Sequence, residues 1–202
     1  IGEFQGQAIG LAGQGTDAWI AAQYGLQETG LVEGGMAVRV EAERWLLVSE
    51  QPLDIGWPVG QESLWWGLDI KAGIPHLEAV HQGEYIPQML NLQALDGISF
   101  TKGCYMGQEI VARAKYRGAN NRALFVLAGQ ASGPVASGDT LEIQLGDNWR
   151  RSGMVLNAWQ QDGQLWLTAV LPKDTEADAS FRLKQEEGSR LALQPLPYSL
   201  TE

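Results

Sequence analysis

Apolar positions fall into two patterns along the chain. In the first half, strand-like and helix-like stretches alternate. AIGLAG at 8–13 is an apolar run of the length of a short buried strand. Thr16 then stands as an N-cap before Trp19, Ile20 and Tyr24, whose spacing predicts a short helix. MAVRVE at 36–41 and WLLVS at 45–49 flank Ala42, Glu43 and Arg44 in the pattern of a β-hairpin. Residues 64–72 predict a second helix, with Gly73 as its C-cap and Pro75 forbidding continuation.

After Gly118 the pattern changes to short apolar runs: RALFVLAG, DTLEIQL, RSGMVLNAW, QLWLTAVL, SFRLK and RLALQP. Gly138-Asp139, Gly146-Asp147-Asn148 and Asp162-Gly163 punctuate them as hairpin turns. Strands this short and this close leave no room for crossover helices, so a small antiparallel barrel or sandwich is expected. The fold class is α+β, with a boundary between 1–118 and a C-terminal β-barrel at 119–202.

Composition narrows the function classes. At 202 residues with 45% hydrophobic and 19% charged positions, the chain can bury a core and is neither disordered nor fibrous. No apolar run is long enough to cross a membrane as a helix. One cysteine cannot form an internal disulfide, and IGEFQGQAIG lacks the basic and apolar regions of a secretion signal, so the protein is expected in the cytoplasm. Because the chain opens without Met just before a strand, it is also expected to be a fragment of a longer protein.

A net charge of −10 disfavours a whole-surface grip on nucleic acid. The charge is uneven, however. Residues 1–101 carry −10, whereas 102–122 carry Lys102, Arg113, Lys115, Arg117 and Arg122 against Glu109 alone. This basic window reads equally as a solvated face or as an anion-binding site.

The same window, ISFTKGCYMGQEIVARAKYRG at 98–118, holds the chain's cysteine. Met106, Ile110 and Ala114 recur at i, i+4 and i+8, which predicts a helix burying that face. Glu109 and Arg113 form a favourable i, i+4 pair, and Gly118 can end the helix. Lys102, Gly103 and Cys104 then enter the helix. There the dipole and the Lys102 ammonium favour the thiolate, so Cys104 is expected to be a reactive thiol. A small buried hydrophobe is the competing reading of equal standing.

KGCYMGQE at 102–109, preceded by YIPQMLNLQAL at 85–95 and followed by VARAKYRG, strongly resembles the YgfZ family. These are folate-binding relatives of the aminomethyltransferase (T-protein) of the glycine cleavage system. GLDIKAGIP at 67–75 and QPLPYSL at 194–200 extend the likeness over the whole chain, which matches the later two thirds of the family's length with the N-terminal part absent. The resemblance implies that 1–118 is a partial T-protein-like folate-binding region and that a β-barrel follows it. It implies tetrahydrofolate, or a one-carbon derivative, as the cofactor. It also implies a role in maintaining iron-sulfur enzymes and, through radical-SAM methylthiotransferases, in tRNA modification. Cys104 would be the defining residue, with Lys102 beside it; Trp65 would line the folate site.

With that resemblance, Trp65, Asp69, Arg113 and Lys115 are the candidate folate contacts, and a flat pterin with a carboxylate tail suits an indole face and nearby cations. Trp65 and Trp66 lie about 100° apart on a helix, so one can face a ligand while the other packs. His76 and His81 have no Cys or His at metal-ligand spacing and are expected to be solvated loop residues, so no metal site is expected. One cysteine supplies at most one ligand to a shared iron-sulfur cluster. The chain is expected to be a monomeric accessory factor for iron-sulfur or radical-SAM clients rather than a stand-alone enzyme. The alternatives are a folate-dependent aminomethyl transferase, with Asp69 as its acid, and a module whose basic helix contacts tRNA.

Overall fold

Alternating apolar residues in the second half of the chain close into a barrel. The computed structural model of the chain describes residues 5–103, 105–116, 118 and 120–200. Six strands form the barrel: β5 (Arg122–Gln130), β6 (Thr140–Leu145), β7 (Asn148–Gln161), β8 (Gln164–Pro172), β9 (Ser180–Leu183) and β10 (Glu186–Gln194). They are antiparallel throughout, in the order β10-β5-β8-β7-β6-β9, with β9 pairing back onto β10. Leu165, Leu167, Ala169 and Leu171 of β8 point inward at period two and meet Leu127, Val155 and Phe181 in the barrel core. Closure removes the unpaired edges that an open sheet would present.

The outer face of the barrel is also apolar in one sector, where Leu124, Leu156 and Val170 are buried under Leu90. That is why β8 is buried on both faces and lacks a clean polar alternation. The covering segment is irregular, with 3-10 turns at Ala79–His81 and Pro87–Leu90. Helices α2 (Glu62–Lys71) and α3 (Gln108–Tyr116) flank it in sequence.

The N-terminal unit is separate in packing terms: the chain divides into Ile1–Gly60 and Gln61–Glu202. Residues 61–118, which the sequence pattern groups with the N-terminal region, thus belong to the same compact unit as the barrel. The first unit contains β1 (Gln7–Ala12), α1 (Thr16–Tyr24), β2 (Gly30–Val32), β3 (Gly35–Glu41) and β4 (Arg44–Ser49). Its sheet runs β1-β4-β3-β2, all antiparallel. Leu11, Ile20, Ala37, Trp45 and Leu47 form its core.

Thr16 is the first helical residue of α1 rather than its cap: Gly15 occupies the cap position, and the Thr16 hydroxyl donates to Gly13 O at 2.7 Å. Among the described residues no helix is long and apolar enough to cross a membrane.

Candidate functional site

The candidate residues lie on two helices of the second unit. Trp65 and Asp69 are on α2, and Arg113 and Lys115 are on α3; Lys102 precedes α3. Cys104, the expected nucleophile, lies outside the described residues, as does Arg117.

α2 reaches its position because position 67 has no side chain. A Cβ there would stand 2.6 Å from the Trp159 ring, so only glycine lets the helix backbone close onto β7. The Lys71 ammonium then sits 4.7 Å from the Trp159 ring centroid and 4.9 Å from that of Trp166. Gly73, at φ +66°, ends the helix as its sequence position predicts.

Asp69 is buried and its Oδ2 lies 2.8 Å from His76 Nε2. Trp66 meets the same imidazole edge to face, with centroids 4.6 Å apart, while its indole N–H donates to Glu62. Trp65 is half-buried. The main-chain N–H of His76 donates to Asn157 Oδ1 at 3.0 Å. Asn157 adjoins a register shift in β7 between Val155 and Asn157, the kind of bulge that re-aims a side chain.

Neither histidine is the solvated loop residue that sequence suggests. His81 is buried: Nδ1 accepts the Glu78 N–H at 3.1 Å, which leaves the proton on Nε2, 3.4 Å from Val155 O. Spacing along the chain carried no sign of the His76–Asp69 or His81–Val155 pairing, because those partners come from other elements.

The helix of the KGCYMGQE segment departs from expectation in two ways. α3 begins at Gln108, after a turn at Met106 and Gly107, so Lys102 and Gly103 stand well before its first residue. Its dipole therefore does not bear directly on Lys102 and Gly103. The buried side is also different. Met106 is 100% exposed and Ile110 59% exposed, whereas Val111 is 7% exposed. On that side the Gln88 amide also donates to the main-chain O of Val111 at 2.6 Å. Apolar spacing alone could not distinguish the two faces of so short a helix.

The described cations of this window, Lys102, Arg113, Lys115 and Arg122, are each locally engaged. Arg113 bonds Glu109 at 2.7 Å, as the i, i+4 spacing predicts. The Lys115 ammonium lies 3.8 Å from the Phe100 ring centroid and that of Lys102 4.7 Å from Tyr105. Arg122 is a strut of the barrel, donating to Ser152 O and Val170 O. A groove of about 690 Å³ opens along the barrel between Arg122, Arg150, Arg151 and the acidic Asp174, Glu176 and Asp178; Trp65, Asp69, Lys102, Arg113 and Lys115 do not line it.

Three segments that carry the family resemblance meet at Asn91, a residue that sequence reading passed over. Its side chain pairs with the main chain of Leu124 in both directions, at 2.8 and 3.1 Å, and its amide lies 3.2 Å from the Tyr198 hydroxyl. That hydroxyl donates to Gly73 O at 2.8 Å, and its burial pushes the phenol pKa up. One chain of hydrogen bonds thus joins YIPQMLNLQAL, QPLPYSL and GLDIKAGIP.

The YgfZ beta-barrel domain model matches residues 120–186, the stretch that folds as the barrel up to the start of its last strand. The tRNA-modifying protein YgfZ of Yersinia pestis (strain Pestoides F) is 52% identical over 170 residues, 80% of this chain and 52% of that protein. The protein of that name from Sodalis glossinidius (strain morsitans) is 55% identical over 139 residues, 68% of this chain and 42% of its own length. The chain spans about half the length of the curated relatives it matches. Identity at this level runs well beyond the barrel, and together with the barrel match it establishes that the chain belongs to the YgfZ family.

Proposed function

We propose that this chain works in tRNA modification as a folate-binding accessory factor for iron-sulfur, radical-SAM enzymes, with Cys104 as its reactive thiol. The observation that carries the reading is 52% identity over 170 residues to proteins named tRNA-modifying. KGCYMGQE at 102–109 supplies the thiol, with Lys102 two residues before it.

The residues present suit a folate. Trp65 offers an indole and Asp69, four residues on, lies on the same helix face. Lys102 is exposed and Arg113 and Lys115 supply further positive charge for a carboxylate tail. Tetrahydrofolate would supply a one-carbon carrier; the protein's part is to bind and orient it.

The test is restoration of modified nucleosides. In a bacterial strain lacking its own family member, this chain should raise the methylthiolated fraction of tRNA, read by mass spectrometry of nucleosides. Cys104→Ser should not, although it accumulates to the same level. Equal restoration by Cys104→Ser would remove the thiol from the mechanism, and no restoration by the unaltered chain would overturn the accessory role. Tetrahydrofolate should quench tryptophan emission, with Trp65→Phe losing more affinity than Trp66→Phe.

A further inference from the structure

His76 is held at three points. Its main chain is fixed to the barrel through Asn157, its Nε2 to Asp69, and its ring against Trp66. Asp69 is nearly closed off, with 7% of its side chain exposed, whereas 34% of the His76 side chain is exposed. A carboxylate accepts and does not donate, so Nε2 carries a proton, and in the neutral imidazole Nδ1 is then the acceptor. No hydrogen bond to Nδ1 is made among the described residues.

Holding an imidazole in one orientation costs side-chain entropy, and a loop needing only a cap would be served by the Asn157 bond alone. The second nitrogen is thus pre-aimed. Trp65 and Asp69 share a helix face, so His76, bound to Asp69, stands at the edge of that face. Trp66 has its N–H on Glu62 and its ring on His76, so it acts as a buttress for the imidazole.

We propose that His76, and not Asp69, is the polar contact of the folate site: Nδ1 accepts a hydrogen bond from an N–H of the pterin, and Asp69 is the positioning residue that fixes the tautomer. This rests on the folate reading above. It changes the role that sequence assigns to Asp69, whose carboxylate is spent on the imidazole.

Titration of the full chain with tetrahydrofolate, read by tryptophan emission, tests it through a pair of variants. In His76→Asn the side-chain amide sits near the place of Nδ1, whereas in His76→Gln it sits near Nε2 and keeps the link to Asp69. His76→Gln should therefore weaken binding about tenfold, the scale of one hydrogen bond, while His76→Asn retains most of the affinity. Asp69→Asn should weaken it too and mix the tautomers, seen in long-range ¹H–¹⁵N spectra of the imidazole. In the unaltered chain tetrahydrofolate should move the Nδ1 resonance. Equal affinity of His76→Gln and the unaltered chain, or an unmoved Nδ1 signal at saturation, would overturn the proposal while leaving folate binding intact. No binding by the unaltered chain would overturn the folate reading and this inference with it.

Discussion

The N-terminal sheet and the C-terminal barrel are both antiparallel, yet they are held by different means. The barrel closes on itself around residues such as Leu127, Leu167 and Phe181, all fully buried. The sheet stays open, its buried core among the described residues is five side chains, and polar links supplement it. Asp17 accepts the Trp45 indole N–H at 2.6 Å and the Glu43 main-chain N–H at 3.2 Å, and pairs with Arg39, which also bonds Glu28. A small open unit buries too little apolar surface to depend on burial alone. Closure of the barrel gives the second unit an outer wall, and the irregular segment between α2 and α3 is joined to that wall by apolar packing around Leu90 and by individual hydrogen bonds.

If the barrel depends on packing, Leu167→Ala should be the most damaging of the simple changes, costing about 2–5 kcal/mol from lost burial and the cavity left behind. Urea unfolding followed by far-ultraviolet circular dichroism measures it. A loss under 1 kcal/mol would mean the interior collapses around the gap and that closure, not packing, holds the barrel.

Asn91→Ala asks whether the site segment is held by specific bonds. It strips the Leu124 main chain of both partners, and each buried unpaired group costs on the order of 1–3 kcal/mol. We expect a loss of about 2–4 kcal/mol and faster exchange of the Leu124 amide, with the barrel strands otherwise intact. Unchanged exchange would show that apolar contacts around Leu90 hold the segment without Asn91.

The smallest effect is expected in the N-terminal unit and is visible through pH. The Trp45 N–H chiefly, then the Glu43 main chain and Arg39, hold the Asp17 carboxyl below its ordinary 3.8, against an opposing effect of burial. A carboxyl depressed by folding contributes stability above its unfolded value, and that contribution fades as pH falls through 3.8 toward the folded value. Asp17→Asn should therefore lower the thermal midpoint near pH 7 and match the unaltered chain at the acid end. A constant difference across that range would trace the effect to packing rather than charge.

What could be read from sequence was what depends on neighbours along the chain. Alternation and turn chemistry located the barrel strands, because a strand's faces repeat every two residues and a hairpin needs its turn. The β3–β4 hairpin, the stop of α2 at Gly73 and the Glu109–Arg113 pair are of the same kind. The cysteine motif marked the family, and 52% identity to its members agrees.

Choices between faces and partners were decided only in three dimensions. Met106, Ile110 and Ala114 form a good stripe, but α3 turns Val111 inward, where Gln88 also bonds its main chain. His76 finds Asp69 and Asn157, His81 finds Val155, and Asn91 completes the main chain of Leu124 from 33 residues away. Local pattern can report that a residue is apolar or polar, whereas burial and hydrogen-bond partners depend on which distant surface packs against it; that is a property of the folded chain alone.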